Sequence, residues 1–166
     1  MRFQVNDAVV YPACGIGRIA GLVTQRFHET EAREYYEVVT DKSTIWVAVE
    51  GDSASGLRRL TGKTELSRYR DLLRQEPGGM VADSRQRRQD LLNRLRDGSF
   101  AVLCEVVRDL TALSWRKPLN EADSMALRKT RDSLAEEWAA AAGIPVQQAN
   151  DEIAALLLEG RAAHAD

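Results

Sequence analysis

The chain has 166 residues, of which 44% are hydrophobic and 29% are charged, enough for one domain or for two small ones, each with its own core. Its apolar runs are too short to cross a membrane, so no membrane partner is expected, and the first residues lack the apolar stretch of a secretory signal. The net charge of −2 excludes a surface that is basic all over, and we expect a cytoplasmic protein.

The residues that usually hold metals or drive acid–base chemistry are few. Only two cysteines, Cys14 and Cys104, and two histidines occur, and no C-x-x-C spacing joins them. The first half of the chain offers no Ser/His/Asp or Cys/His set that could be placed together, and two histidines are few for acid–base chemistry. We therefore predict no enzyme, no cofactor, no metal and no small-molecule substrate.

The first sixty residues have the pattern of short strands. Segments rich in Val, Ile, Tyr and Trp are separated by polar turns and cover 8–12, 17–27, 33–40, 44–50 and 56–60. Pro12 ends the first strand, and Gly15 and Gly17 allow the chain to reverse. The pattern predicts a five-stranded Tudor/SH3-like β-barrel over residues 1–60, since closure would leave no unpaired edge.

A helical period replaces the strand pattern after Leu60. Thr64 is predicted to cap a helix over 65–75, and the Pro/Gly-rich segment 76–83 reads as a linker. The segment 61–83 is therefore interpreted as a helix and linker between two domains.

The rest of the chain, 84–166, predicts an all-α domain. Helices are expected at 85–98, with Leu91, Leu92 and Leu95 facing inward, and at 99–115, 120–143 and 144–160. Ser99 and Asn120 are the expected N-caps, and Gly98 and Gly143 end two of these helices. The fold class is thus α+β, a β-barrel domain followed by a helical domain.

Three tryptophans and three arginines are the candidates for binding. Alternation along 44–50 places Trp46 on the opposite face from Ile45 and Val47, so it either covers the barrel's open end or anchors a partner. Trp115 and Trp138 lie on apolar helix faces and are expected in the core. The cluster formed by Arg85, Arg87 and Arg88 lies in a part of the chain, 85–131, with eleven Lys/Arg against six Asp/Glu. Charge alone is equally consistent with a phosphate-binding face and with a solvated helix face.

Two motifs resemble a known family. "VNDAVVYPACGIGRIAG" in the first half and "LRDGSFAVLCEVVRDL" in the second are similar to the CarD/CdnL family of bacterial transcription regulators that bind RNA polymerase. The resemblance covers nearly the whole chain. It implies an N-terminal Tudor-like barrel, similar to that of the transcription-repair coupling factor, that binds the polymerase β subunit. It also implies a helical domain that touches promoter DNA and stabilises the open complex.

The family's contact residues are only partly matched. The resemblance places a polymerase-contacting arginine at Arg26 and a second contact position at Trp46. The tryptophan that the family inserts into DNA aligns with Ser84, which cannot fill the gap between splayed bases. Basic positions nearby align with Gln86, Gln89 and Ser124. We therefore expect a polymerase-binding regulator of initiation whose contact with promoter DNA is weakened and independent of sequence.

Two other interpretations stay open at this stage. One is a protein–protein adaptor of the same fold that binds no DNA. The other is a barrel that binds RNA, against which the barrel half, through Glu76, carries eleven basic and eleven acidic residues.

Overall fold

A computed structural model describes residues 3–12, 14–26, 31–50 and 56–164. It contains five strands followed by five helices, and the chain divides into two compact units, Met1–Leu60 and Thr61–Asp166. The strands lie in the first unit and the helices in the second. The predicted α+β class is confirmed.

The first unit is a single antiparallel sheet. Its strands are β1 (Ala8–Tyr11), β2 (Gly15–Gln25), β3 (Arg33–Thr40), β4 (Thr44–Ala48) and β5 (Arg58–Arg59), in the spatial order β4-β3-β2-β1-β5. The term barrel is too strong for this sheet. Over the residues that the structure describes, β4 and β5 form its two edges and do not pair with each other. Both residues of β5 pair with β1.

The core of the sheet follows from alternation. Tyr36 and Val38 on β3 are buried, whereas Val39 beside them is exposed. The buried set packed on this face is Val9, Ile19, Tyr36, Val38, Val47 and Leu57. The period-2 pattern therefore determines which face of the sheet is covered and which is open.

The two glycines of the first hairpin act differently. Gly15 has φ +89°, a conformation that L side chains rarely adopt. Gly17 lies under β3, where an added Cβ would meet Val38 Cγ1 at 2.8 Å and the Val39 carbonyl oxygen at 2.9 Å. The predicted chain reversal therefore depends on Gly15, while Gly17 permits two strands to approach closely.

The second unit contains a 3-10 turn (Lys63–Glu65) and the helices α1 (Leu66–Arg74), α2 (Ser84–Arg96), α3 (Phe100–Arg116), α4 (Glu121–Ala142) and α5 (Val146–Ala163). Ser99 accepts a hydrogen bond from the Val102 N–H at 3.2 Å, as its predicted capping role requires. Asn120 does the same for the Asp123 N–H at 2.8 Å. Gly143 ends α4 in the left-handed conformation. Thr64 lies inside the 3-10 turn instead of capping α1.

Helix α1 belongs to the helical unit, which differs from the predicted boundary at residue 84. Its buried residues Leu66, Tyr69 and Leu73 join one core with residues of α3, α4 and α5. The unit begins at Thr61, whose N–H and hydroxyl both donate to the buried Glu137 carboxylate, at 3.2 and 2.6 Å. The Pro/Gly segment after α1 is therefore a loop within the helical unit.

That loop is tied to the helices by a buried carboxylate. The Gly78 N–H donates to Asp109 Oδ1 at 2.9 Å, and Arg108 donates to the same oxygen at 2.9 Å. Arg94 donates to the other oxygen, Asp109 Oδ2, at 3.3 Å.

None of the helices in the described part of the chain is long and apolar enough to cross a membrane.

Candidate functional site

Strand β4 exposes an aromatic side chain at an edge of the sheet. Trp46 lies opposite Glu37 of β3 and is 46% exposed, while its neighbour Val47 is only 3% exposed. Val39, diagonal to Trp46 on the same outer face, is 44% exposed. Of the two predicted roles for Trp46, this exposure favours an anchor for a partner over a cover for the core.

Arg26 lies at another part of the same sheet. It is exposed and follows the last residue of β2, Gln25, which pairs with Arg33. Gly21 is the β2 residue paired with Glu37, the partner of Trp46, so Arg26 is five residues further along, roughly 17 Å at the usual strand rise. Arg26 lies just beyond the end of β2 and continues the alternating face of Leu22 and Thr24, which is opposite the face of Trp46. A partner that engages both residues must therefore reach around an edge or end of the sheet.

The predicted basic cluster lies at the start of α2. Asp83 caps this helix, since its Oδ1 accepts from the Arg85 N–H at 3.0 Å. Ser84 is the first helical residue and is exposed, as are Arg85 and Arg88. These exposed residues form one surface at the N-terminal end of the helix.

Arg87 does not belong to that surface, and its prediction as a DNA contact needs correction. It is 4% exposed. Its Nε and Nη2 donate to Asp123 Oδ2 at 2.9 and 2.7 Å, and its Nη1 donates to the carbonyls of Val81 and Ala82 at 2.8 and 3.2 Å. The guanidinium is thus engaged by a buried carboxylate and by the loop before α2, and it is not available to a phosphate.

The burial of Arg87 has a recognisable signal in the sequence. Arg87 and Leu91 are four residues apart and lie on the same face of α2, and Leu91 is 3% exposed. Leu92 is one residue further round, so it is 51% exposed, contrary to the prediction that it faces inward. Had the helical face been drawn through Leu91 and Leu95 alone, Arg87 would have been placed inside and Leu92 outside.

Uncharged polar side chains occupy much of the remaining exposed surface of α2. The Gln86 side chain donates to Asp90 at 2.9 Å, and the Gln89 side chain donates to Asn93 at 3.2 Å. Two arginines, Arg85 and Arg88, are therefore what the predicted cluster offers to a polyanion.

The cysteines and the two helical tryptophans do not form a second site. Burial raises the pKa of the Cys104 thiol well above its usual range, helped by the nearby charge of Glu137, so this cysteine stays protonated and unreactive. Cys14 is exposed. Trp138 is fully buried, as predicted, and Trp115 is partly buried beneath the Arg161 guanidinium. Within the described ranges, no three His, Cys, Asp or Glu side chains are grouped to hold a metal ion.

The chain thus combines a five-stranded sheet unit, with an exposed aromatic at its edge, and a five-helix unit. Residues 3–61 match the family described as the CarD-like/TRCF RID domain, and residues 69–154 match the family described as CarD, C-terminal domain. The chain belongs to the CarD family of transcription regulators. It is 26% identical over 148 residues, 88% of this chain and 96% of the other, to a Bacillus subtilis (strain 168) protein named "Putative transcription factor YdeB".

Proposed function

We propose that this protein is a non-enzymatic cytoplasmic regulator of transcription initiation that binds the β subunit of RNA polymerase through its N-terminal sheet. The observation that supports this most is Trp46, an exposed aromatic in the middle of an edge strand of a CarD-like/TRCF RID domain. The membership of the family supplies the class of partner, and the edge strand supplies a mode of binding.

Edge strand β4 suits pairing with a strand of another protein. Among the described residues it is hydrogen-bonded to β3 alone, so the backbone groups on its other side face outward. A strand added there would extend the sheet, with main-chain hydrogen bonds giving affinity and side-chain contacts giving specificity. Trp46 would be the aromatic anchor of such an interface, and Arg26 a second, charged contact.

The polymerase interface is tested with an Arg26→Ala/Trp46→Ala double variant. Loss of a buried aromatic anchor costs 2 kcal/mol or more in typical interfaces, so we expect at least about a 30-fold rise in the Kd for the isolated β lobe. The measurement is a pull-down followed by a titration with the full chain. Val5→Ala serves as the control, because Val5 is an equally exposed apolar residue of the same unit. Retained binding by the double variant would refute the assigned surface.

We further propose that the helical unit makes a weak, sequence-independent contact with promoter DNA through Arg85 and Arg88. Both side chains are exposed at the first turns of α2, where they can neutralise phosphates without reading bases. With Arg87 buried and Ser84 in place of an aromatic wedge, this contact involves fewer groups than the resemblance implies.

Salt dependence tests the phosphate contacts. Each neutralised phosphate contributes about 0.9 to the slope of log K against log salt, so Arg85→Ala/Arg88→Ala should reduce that slope by about 1.8. The measurement is retention of promoter DNA by the polymerase complex over a salt series. Lys63→Ala, an exposed cation of the same unit, is expected to leave the slope unchanged. An identical slope in the double arginine variant would count against the proposal.

Restoring an aromatic side chain at the start of α2 tests the geometry of DNA docking. Ser84→Trp is expected to prolong the lifetime of the open complex by about tenfold, equivalent to 1.4 kcal/mol, because an inserted ring stabilises an unstacked base step. Ser84→Ala is the matched control and should behave as wild type. If the Trp variant brings no gain, the N-terminal end of α2 does not face the DNA bubble.

A second candidate function is an adaptor of the same fold that joins a protein partner to the polymerase and binds no DNA. The burial of Arg87 and the presence of the uncharged Gln86 and Gln89, which pair with Asp90 and Asn93, favour it, because they leave few cations for DNA. The same salt series separates the two: an adaptor gives no protein-dependent retention of DNA at any salt concentration.

A further inference from the structure

An apolar groove runs between α2 and α4, and the proposed function does not use it. Its wall on α2 includes Leu92, which is 51% exposed, and its wall on α4 includes Met125, which is 61% exposed. The recess has a volume of about 640 Å³. Its apolar lining is completed by Leu91, Leu95, Ala122 and Ala126.

The groove has identifiable causes in the packing. The buried pair of Arg87 and Asp123 holds the N-terminal ends of α2 and α4 together, at 2.7 Å between charged atoms. Beyond that pair, α4 presents the small side chains of Ala122 and Ala126 opposite the leucines of α2. Large side chains on one helix and small ones on the other leave a recess between them, instead of a filled interface.

Charges around the groove are mostly positive. Arg85, Arg88 and Arg96 are exposed along one face of α2, at spacings of three and eight residues. On α4, the exposed Arg128 and Lys129 follow Met125 by three and four residues. Two acidic residues, Glu121 and the buried Asp123, line the groove, and Asp123 is paired with Arg87. The exposed Asp132 follows Lys129 on α4 by three residues. An apolar floor with a predominantly basic border suits an apolar ligand that carries acidic groups along its edge.

We propose that the α2–α4 groove binds an amphipathic helix of a protein partner, with an apolar ridge that enters the groove and acidic residues that flank it. Such a helix presents apolar residues at i, i+3, i+4 and i+7, and Arg88 to Leu95 provides a floor of about 11 Å, or two turns. The shape argues against a nucleic acid here, since an apolar element that unstacks bases must protrude, whereas this surface is concave.

This inference goes beyond the proposed function and does not depend on the polymerase interface, which lies in the other unit. It shares Arg88 with the proposed DNA contact. An acidic helix in the groove would therefore compete with DNA for that arginine.

The test uses the full chain and a synthetic helical peptide as the probe. The peptide carries leucines at i, i+4, i+7 and i+11 and glutamates on both sides of that ridge, with a fluorescent label for anisotropy. A second peptide has lysine at each glutamate position. We expect the acidic peptide to bind at least about tenfold more tightly than the basic one, through its charge complementarity with the border.

Three variants assign the binding to the groove. Leu92→Ser/Met125→Ser should weaken binding of the acidic peptide by at least about tenfold, since two apolar contacts are lost. Leu158→Ser, which changes an equally exposed leucine on α5, should leave it unchanged. Arg88→Glu should reduce or reverse the difference in affinity between the acidic and the basic peptide. Circular dichroism on each variant verifies that the helices remain folded, and we expect no loss because the replaced side chains are exposed.

Two outcomes would overturn the proposal. One is peptide binding that is indifferent to Leu92 and Met125 or to the charge of the peptide. The other is a double Leu92/Met125 variant that loses promoter DNA while retaining the peptide, which would make the groove a nucleic-acid surface. Neither outcome bears on the pull-down with Arg26→Ala/Trp46→Ala, so failure of this inference is distinguishable from failure of the proposed function.

Discussion

Arg87→Ala is expected to lower the free energy of unfolding of the helical unit by about 3–5 kcal/mol, because it leaves the buried Asp123 carboxylate without its partner. The Asp123 side chain is only 3% exposed, so its carboxylate would lose its charge partner in a largely buried place. The substitution also removes the donors for the Val81 and Ala82 carbonyls. The measurement is urea unfolding of the full chain followed by circular dichroism at 222 nm, which reports the α-helices of this unit.

Two further variants isolate the role of the buried charge. Arg88→Ala, one residue away and exposed, should change stability by no more than about 0.5 kcal/mol. Arg87→Met/Asp123→Leu should recover most of the loss, since a buried ion pair replaced by apolar side chains of similar size is often neutral. A single Arg87→Ala variant as stable as wild type would show that the pair is not buried in solution.

The stability effect also bears on the interpretation of DNA-binding data. Arg87 joins the loop before α2 to α4, so its loss would disturb the positions of Ser84, Arg85 and Arg88 together. Reduced DNA retention by an Arg87 variant is therefore expected even though this side chain touches no DNA. Only the exposed arginines Arg85 and Arg88 can test the phosphate contact directly.

Trp138→Ala is the second substitution with a large expected effect, a loss of about 3–5 kcal/mol, because it leaves a large cavity in the helical core. Trp138 is 0% exposed and packs edge-on against Phe100, with 6.0 Å between ring centroids. The Arg70 guanidinium lies 5.8 Å from its ring centroid, and its Nε1 donates to Glu152 at 3.4 Å. The same urea unfolding experiment measures the loss.

Two other variants, one at the same position and one at an exposed tryptophan, provide the comparison for Trp138→Ala. Trp138→Phe keeps much of the ring volume and should cost clearly less than the alanine variant. Trp46→Ala changes a half-exposed side chain of the sheet unit and should leave the 222 nm transition unchanged. Equal losses for the alanine and phenylalanine variants would point to the Glu152 hydrogen bond, instead of ring burial, as the main contribution.

Local structure in this protein was predictable from the sequence. The boundaries of β3 agree with the predicted 33–40, and the caps at Ser99 and Asn120 form as expected. The outward position of Trp46 follows from strict alternation along β4. These features depend on interactions within a few residues, such as the pleat of a strand or a side chain that bonds the next helical turn, so the order of residues alone determines them.

Features that join distant parts of the chain were decided by the tertiary structure. The spacing of Arg87 and Leu91 places Arg87 on the inner face of α2, but its burial as a charged group depends on Asp123, 36 residues later, which supplies the carboxylate. Over the residues that the structure describes, the sheet stays open because its edge strands β4 and β5 do not pair with each other. Helix α1 joins the helical unit through a core that spans most of that unit. The sequence determined where helices and strands form, while long-range packing selected which charged and apolar side chains remain at the surface, because burial depends on what lies opposite each residue in space.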